Sequence, residues 1–139
     1  MDSIQRFFNR RGQALVETAI CLPVFILLLT GFFEFSRIFY LWQAITRSAQ
    51  VGARAAAASA VSSIATTGQN QTEQILQNTY GIPVAVGTVT VTVPGNLQAN
   101  PILIRVITPV NSPFTPLFPG LAGKNLTATA AAYYGLRPQ

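Results

Sequence analysis

The chain has 139 residues, half of them apolar, with nine bases against four acids and a formal charge of +5. Such a length allows one small domain at most. Histidine is absent and Cys21 is the only cysteine, so a single chain has no disulfide, no paired-thiol metal site and no histidine chemistry. The acids number only Asp2, Glu17, Glu34 and Glu73, and they form no acid pair or nucleophile-base arrangement, so no enzyme and no cofactor are expected.

The bases Arg6, Arg10, Arg11, Arg37, Arg47, Arg54, Arg105, Lys124 and Arg137 are scattered rather than clustered, which argues against a nucleic-acid partner. Arg6, Arg10 and Arg11 instead precede an apolar run, the position of a cytoplasmic flank. That run, residues 14–33, counts 20 residues and reaches about 30 Å as a helix, the thickness of a hydrocarbon core. It is read as a transmembrane segment. Phe32, Phe33, Phe35, Phe39, Tyr40 and Trp42 crowd its far end, as amphipathic rings do at headgroups. The run is too long for the apolar core of a secretory signal and lacks a nearby small-x-small cleavage site. It also carries Glu17, an acid whose central burial in a bilayer costs about 2.5–3.5 kcal/mol, which marks the residue as functional and in need of a partner.

The helical pattern continues past the span through Ile38, Trp42, Ile45, Ala49, Gly52, Ala56, Ser59 and Ser63 at alternating steps of four and three. Small-xxx-small pairs, Ala49 with Ala53 and Gly52 with Ala56, shape this face for close helix packing, against either the chain's own outer part or another helix. Gln43, Arg47, Gln50 and Arg54 form a separate polar stripe. Glu34 and Arg37 stand three apart as a local ion pair.

The long helix is predicted to occupy residues 13–67 and to stop at Thr67-Gly68. Asn70-Gln71-Thr72-Glu73 then resembles a capping box opening a short second helix, with Ile75, Leu76 and Tyr80 on its apolar side and Gly81 and Pro83 closing it. Val89, Val91 and Val93 alternate with threonines until Pro94-Gly95-Asn96. Ile102, Ile104 and Val106 repeat the alternation, and residues 126–134 give a third strand. The prolines at 113, 116 and 119 give residues 109–120 a polyproline period, either a stiff surface loop or a contact surface for a neighbour. Asn70 and Asn125 each begin a glycosylation-type triplet. The expected fold is α+β: a long N-terminal helix, membrane-spanning in its first half, a short second helix, and a small three-stranded antiparallel sheet packed on the helix's outer half. Residues 68–139 would form the small extracytoplasmic domain.

Arg11-Gly12-Gln13-Ala14-Leu15-Val16-Glu17-Thr18-Ala19, then Leu22-Pro23 and Glu34-Phe35-Ser36-Arg37, resembles the N-terminus of TadE-like proteins, pseudopilins or minor pilins of the Flp/Tad type IV pilus. The resemblance implies that residues 1–12 are a basic leader removed by a prepilin peptidase between Gly12 and Gln13. Glu17 becomes the fifth residue of the mature chain. Removing the leader takes away Arg6, Arg10, Arg11 and Asp2, leaving six bases and three acids and lowering the charge from +5 to +3. The implied assembly role of Glu17 is to meet the Gln13 amine of a neighbouring subunit.

Further implications are a single pass through the bacterial inner membrane, N-terminus cytoplasmic and C-terminal domain extracytoplasmic, with an extracellular location once in a pilus. The implied partners are the membrane, the peptidase, other pilin-like subunits in a homo- or hetero-oligomeric filament, and the inner-membrane assembly platform, in a system serving adhesion and secretion. Thr18 stands where many relatives have an aromatic residue, and major Flp subunits are little more than the helix. The additional outer domain therefore favours a minor or pseudopilin role. The alternative is a single-span envelope protein whose outer domain binds a partner, DNA or a surface without polymerising.

Overall fold

The computed structural model describes residues 2–85, 88–110, 117, 119–121 and 123–135. The chain divides into two compact units, Met1–Arg37 and Ile38–Gln139. Helix α1 (Asp2–Ala58) supplies the first unit and the first element of the second. A 3₁₀ turn (Val61–Ser63) leads to α2 (Ile64–Asn78), followed by strands β1 (Val89–Thr92), β2 (Ile102–Pro109) and β3 (Asn125–Ala132). The α+β class, the long first helix, the shorter second one and the three strands all agree with the reading of the sequence.

The first unit is a single helix whose large apolar side chains from Leu15 to Phe35 stay in the open. Leu15 is 72 % exposed and Phe33 67 %. One helix, Gly12–Ala58, is long and apolar enough to cross a membrane among the described residues. Hydroxyls along it turn back onto the helix: Thr18 Oγ1 donates to the Ala14 carbonyl at 2.9 Å, Thr30 Oγ1 to Ile26 at 2.8 Å, and Ser36 Oγ to Phe32 at 3.0 Å. These three hydroxyls are thus satisfied without water, as a lipid environment requires. Pro23 lies inside the helix and removes one backbone donor from the ladder.

In the second unit the sheet order is β1-β2-β3, antiparallel throughout. Val89 pairs with Val106, Val91 with Ile104, Ile104 with Ala130 and Val106 with Ala128, so the alternation places one apolar set on one face. That face, with Ile102, closes on Ala44, Ile45, Ala49, Ala53 and Ala56 of α1 and on Ile64 and Leu76 of α2. Fully burying each branched side chain of this set contributes about 1.5–3 kcal/mol, whereas the alanines contribute chiefly by letting backbones approach. Beyond β1, Pro94-Gly95 breaks the strand and Asn96 Oδ1 accepts the amides of Gln98 and Ala99 at 3.1 and 3.2 Å.

Two helix boundaries differ from expectation. The long helix ends at Ala58, not at Thr67-Gly68. Ala60 is extended (φ −65°, ψ 150°) and α2 begins at Ile64, so Gly68 and the capping-box-like Asn70 to Glu73 stretch lie within α2. Gly68 is small because α1 lies against it: a Cβ there would come within 3.0 Å of Ala56 Cβ and of Ile104 Cδ1. Thr72 is buried and donates to the Gly68 carbonyl at 2.7 Å, and Glu73 accepts from Gln69 Nε2 at 2.9 Å. Neither side chain caps a helix start. Ser63, the actual N-cap residue, makes no side-chain cap bond and donates to the Ala60 carbonyl at 3.1 Å instead. The expected stop at Gly81 is found: it adopts φ +63° and its amide reaches the Gln77 carbonyl at 3.1 Å. Of the proline-spaced loop, Pro113, Phe114, Pro116 and Phe118 lie outside the described residues.

Candidate processing and assembly site

The residues singled out in the N-terminal segment occupy one continuous stretch of α1. Gly12 is helical and exposed, and a Cβ built on it would meet nothing within 4 Å. Its φ is not positive either. Neither packing nor backbone conformation within the chain therefore requires glycine, which inside a helix costs about 0.5–1 kcal/mol relative to alanine. Gln13 follows it, exposed on the same helix.

Glu17 is exposed one helical turn beyond Gln13. Among the described residues the sole ion pair is Arg37 with Glu34, so Glu17 has no cationic partner there. Around it Thr18, Cys21, Leu22 and Phe25 line an open depression on the helix surface. An acid beside an apolar helix face can pair with a cation supplied from outside.

The expected ion pair at the far end of the apolar segment is formed. Arg37 Nη2 donates to Glu34 Oε1 at 2.6 Å and Nε to Oε2 at 3.4 Å. Glu34 is 3 % exposed while Arg37 keeps about a third of its surface. The guanidinium fork thus meets both oxygens of a buried carboxylate, a stronger arrangement than the open helical pair the spacing alone implies.

In the second unit, Ala49, Gly52, Ala53 and Ala56 are all buried. The two possible partners of this small-residue face are thereby distinguished: it packs on the chain's own α2 and β2. A Cβ on Gly52 would fall on Thr72 Oγ1, within 2.9 Å of the Gly68 carbonyl and 3.2 Å of Ile104 Cδ1. Of the longer heptad series, Ile45, Ala49, Gly52 and Ala56 lie in the core, whereas Trp42 is 47 % exposed and stacks obliquely on Phe39 at 6.1 Å. Gln43, Arg47, Gln50 and Arg54 are exposed as a polar stripe should be.

Three contributors to this core were not assigned that role from sequence. Gly68 and Thr72 complete the crossing with α1, and Ser48 is fully buried with its hydroxyl donated to the Ile45 carbonyl at 3.0 Å. A signal for the first two was present: Ile64, Gly68, Thr72 and Leu76 recur every fourth residue and are the buried residues of α2.

Comparisons with curated proteins and with solved structures return no match. Against family models, residues 12–54 match the one described as TadE-like protein. The matched segment starts at Gly12, takes in Gln13, Glu17 and the Glu34–Arg37 pair, and stops within the buried small-residue face. The likeness to TadE-like proteins thus covers this N-terminal helical segment, less than half of the chain, and the same helix is long and apolar enough to cross a membrane.

Proposed function

We propose that the chain is a non-enzymatic pseudopilin or minor pilin, cut by a prepilin peptidase between Gly12 and Gln13 and used in assembly or initiation of a Tad-type pilus. The observation that carries this reading is the combination at the start of α1: a glycine with nothing packed where its Cβ would lie, and an acid with no cationic partner among the described residues, ahead of an exposed apolar helix and within the segment similar to TadE-like proteins. A peptidase that must bring the chain's backbone close to its own reacting groups accounts for the missing Cβ.

Cleavage creates an α-amine at Gln13, and Glu17 follows four residues later, about 6 Å along the helix axis. The acid then lies near the bilayer edge, where much of its burial penalty disappears. Its carboxylate favours the positive helix end within one chain and pairs with the Gln13 amine of a neighbour between chains, fixing the stagger of one subunit on the next. The three leader arginines hold the N-terminus on the cytoplasmic side, with the α+β unit outside. The inner membrane, the peptidase and the assembly platform are the partners of this reading.

Glu17→Ala in the native host tests it. The variant should reach the membrane at normal level, be processed, and fail to support pilus assembly. Normal piliation would remove the role given to Glu17.

A further inference from the structure

We infer that the exposed polar stripe of α1 in the second unit, Gln43, Arg47, Gln50 and Arg54, is the docking face for a helix of a different, acidic protein. That helix carries Asp or Glu at seven-residue spacing, and the stripe excludes a second copy of this chain. The second unit is the outer unit in the proposed orientation, and the inference requires neither leader cleavage nor a pilus.

At about 100° per residue, the four side chains leave α1 within an arc of about 60°, on the side opposite Gly52. Ala49, Gly52, Ala53 and Ala56 fill that opposite side and are buried, whereas all four stripe residues are exposed. Gln43 and Gln50 are seven residues apart, as are Arg47 and Arg54, which sets the two arginines about 10 Å apart along the axis. None of the four makes a side-chain hydrogen bond or an ion pair among the described residues.

A helix face kept for water alone interleaves acids with bases, so that charges pair within one turn. This one does not. Between Glu34 and Glu73 the sequence has no acid, and residues 38–139 carry five bases against one acid. That acid, Glu73, belongs to α2, which packs on the opposite side of α1, and it already accepts from Gln69 Nε2 at 2.9 Å. A single acid cannot match two arginines. A second copy laid stripe to stripe would bring four arginines together with no acid among them, a like-charge contact that selects against self-association. Lipid headgroups fit no better. On a helix standing out of the bilayer, Arg54 lies about 18 Å beyond Trp42, the last of the crowded rings, against a Debye length of about 8 Å. A neighbouring helix with two carboxylates seven residues apart meets both arginines at once, each as a two-pronged guanidinium–carboxylate pair. Phe39 and Trp42, about half exposed and in contact beside Gln43, give such a helix an apolar contact next to the charged one. A partner crossing the same bilayer in the same direction keeps the two helices parallel and side by side.

Photo-cross-linking of the full chain in its native host, with p-benzoylphenylalanine in place of Gln50, tests this. Light should yield an adduct with a different protein, and mass spectrometry of the joined peptides should place the cross-link in a segment with Asp or Glu seven residues apart. Arg47→Glu combined with Arg54→Glu should reduce the adduct by about tenfold or more, since both contacts become repulsive. Arg47→Lys with Arg54→Lys keeps the charge and should keep the adduct, as should Arg105→Glu, a reversal elsewhere on the unit. Arg47, Arg54 and Arg105 are all exposed, so the protease resistance of the unit should survive each change. Purified and illuminated in vesicles, the labelled chain should give no adduct with itself. A self-adduct, an adduct to lipid alone, a partner segment without the paired acids, an adduct that survives the double reversal, or no adduct would each overturn the inference. None of these outcomes depends on where the mature chain begins, which the mass of the same protein reads separately.

Discussion

Gly52 of α1 and Thr72 of α2 meet so closely that a single methyl group on Gly52 would occupy the position of the Thr72 hydroxyl oxygen. That hydroxyl is fully buried and committed to the Gly68 carbonyl, so it cannot swing aside without being left unpaired in the core. The second unit is thus held together where two helices cross over a glycine pair, with Ile104 of the sheet touching both positions.

Gly52→Ala should destabilise the second unit by about 1–3 kcal/mol, the usual cost of forcing a methyl into a filled core. Gly68→Ala should cost less, since its new Cβ meets Ala56 Cβ and Ile104 Cδ1 at 3.0 Å and the isoleucine end can yield. Thermal melting of the detergent-solubilised chain, followed by circular dichroism, measures both. Thr72→Ala combined with Gly52→Ala should cost less than the sum of the two single changes, a coupling expected of residues in contact.

The two faces of β2 should respond differently to truncation. Ile104 is fully buried whereas its neighbour Leu103 is 38 % exposed. Ile104→Ala is expected to cost about 2–5 kcal/mol, and Leu103→Ala about 1 kcal/mol or less. Urea midpoints of the two variants decide it, and equal losses would contradict the assigned core face.

This face was legible in the sequence because Ile102, Ile104 and Val106 alternate at the strand period, and a slip of one residue would expose all three. The α1–α2 junction was not. Ala55 through Ala58 and Ser59-Ala60 carry no glycine or proline, and the helix breaks there because α2 must fold back onto α1, a tertiary requirement without local punctuation. Gly68 supplied the misleading signal: glycine serves both a helix stop and a close crossing, and only the neighbouring Gly52 distinguishes them. At the N-terminus the reverse held: Gly12 and Glu17 stand out in sequence, and among the described residues nothing packs where a Gly12 Cβ would lie and no cation pairs with Glu17.

Arg37 and Arg47 provide a comparison between a paired and an unpaired arginine on one helix. Arg37 grips the buried Glu34 at 2.6 Å, whereas Arg47 is exposed and has no acid partner among the described residues. Arg37→Ala should lower stability by about 1 kcal/mol, the discount reflecting its partial exposure. Arg47→Ala should stay within about 0.5 kcal/mol of the parent. Melting temperatures in the same detergent would show the difference, and equal effects would deny the ion pair a structural role.

Val24, 58 % exposed near the middle of the apolar stretch, tests the membrane reading. Val24→Arg should raise the insertion cost by about 2.5–3.5 kcal/mol and shift the chain from the membrane to the soluble fraction. In the same cells Ala99→Cys, placed in the outer unit with Cys21 replaced by serine, should react with a membrane-impermeant maleimide from the extracytoplasmic side. Labelling only after lysis would reverse the proposed orientation.

The central claim is that Gly12 marks the end of a leader and Gln13 the start of the working subunit. Mass spectrometry of the intact protein purified from its native host membranes measures this directly. The proposed account predicts a chain beginning at Gln13, and one still carrying residues 1–12 at steady state would contradict it.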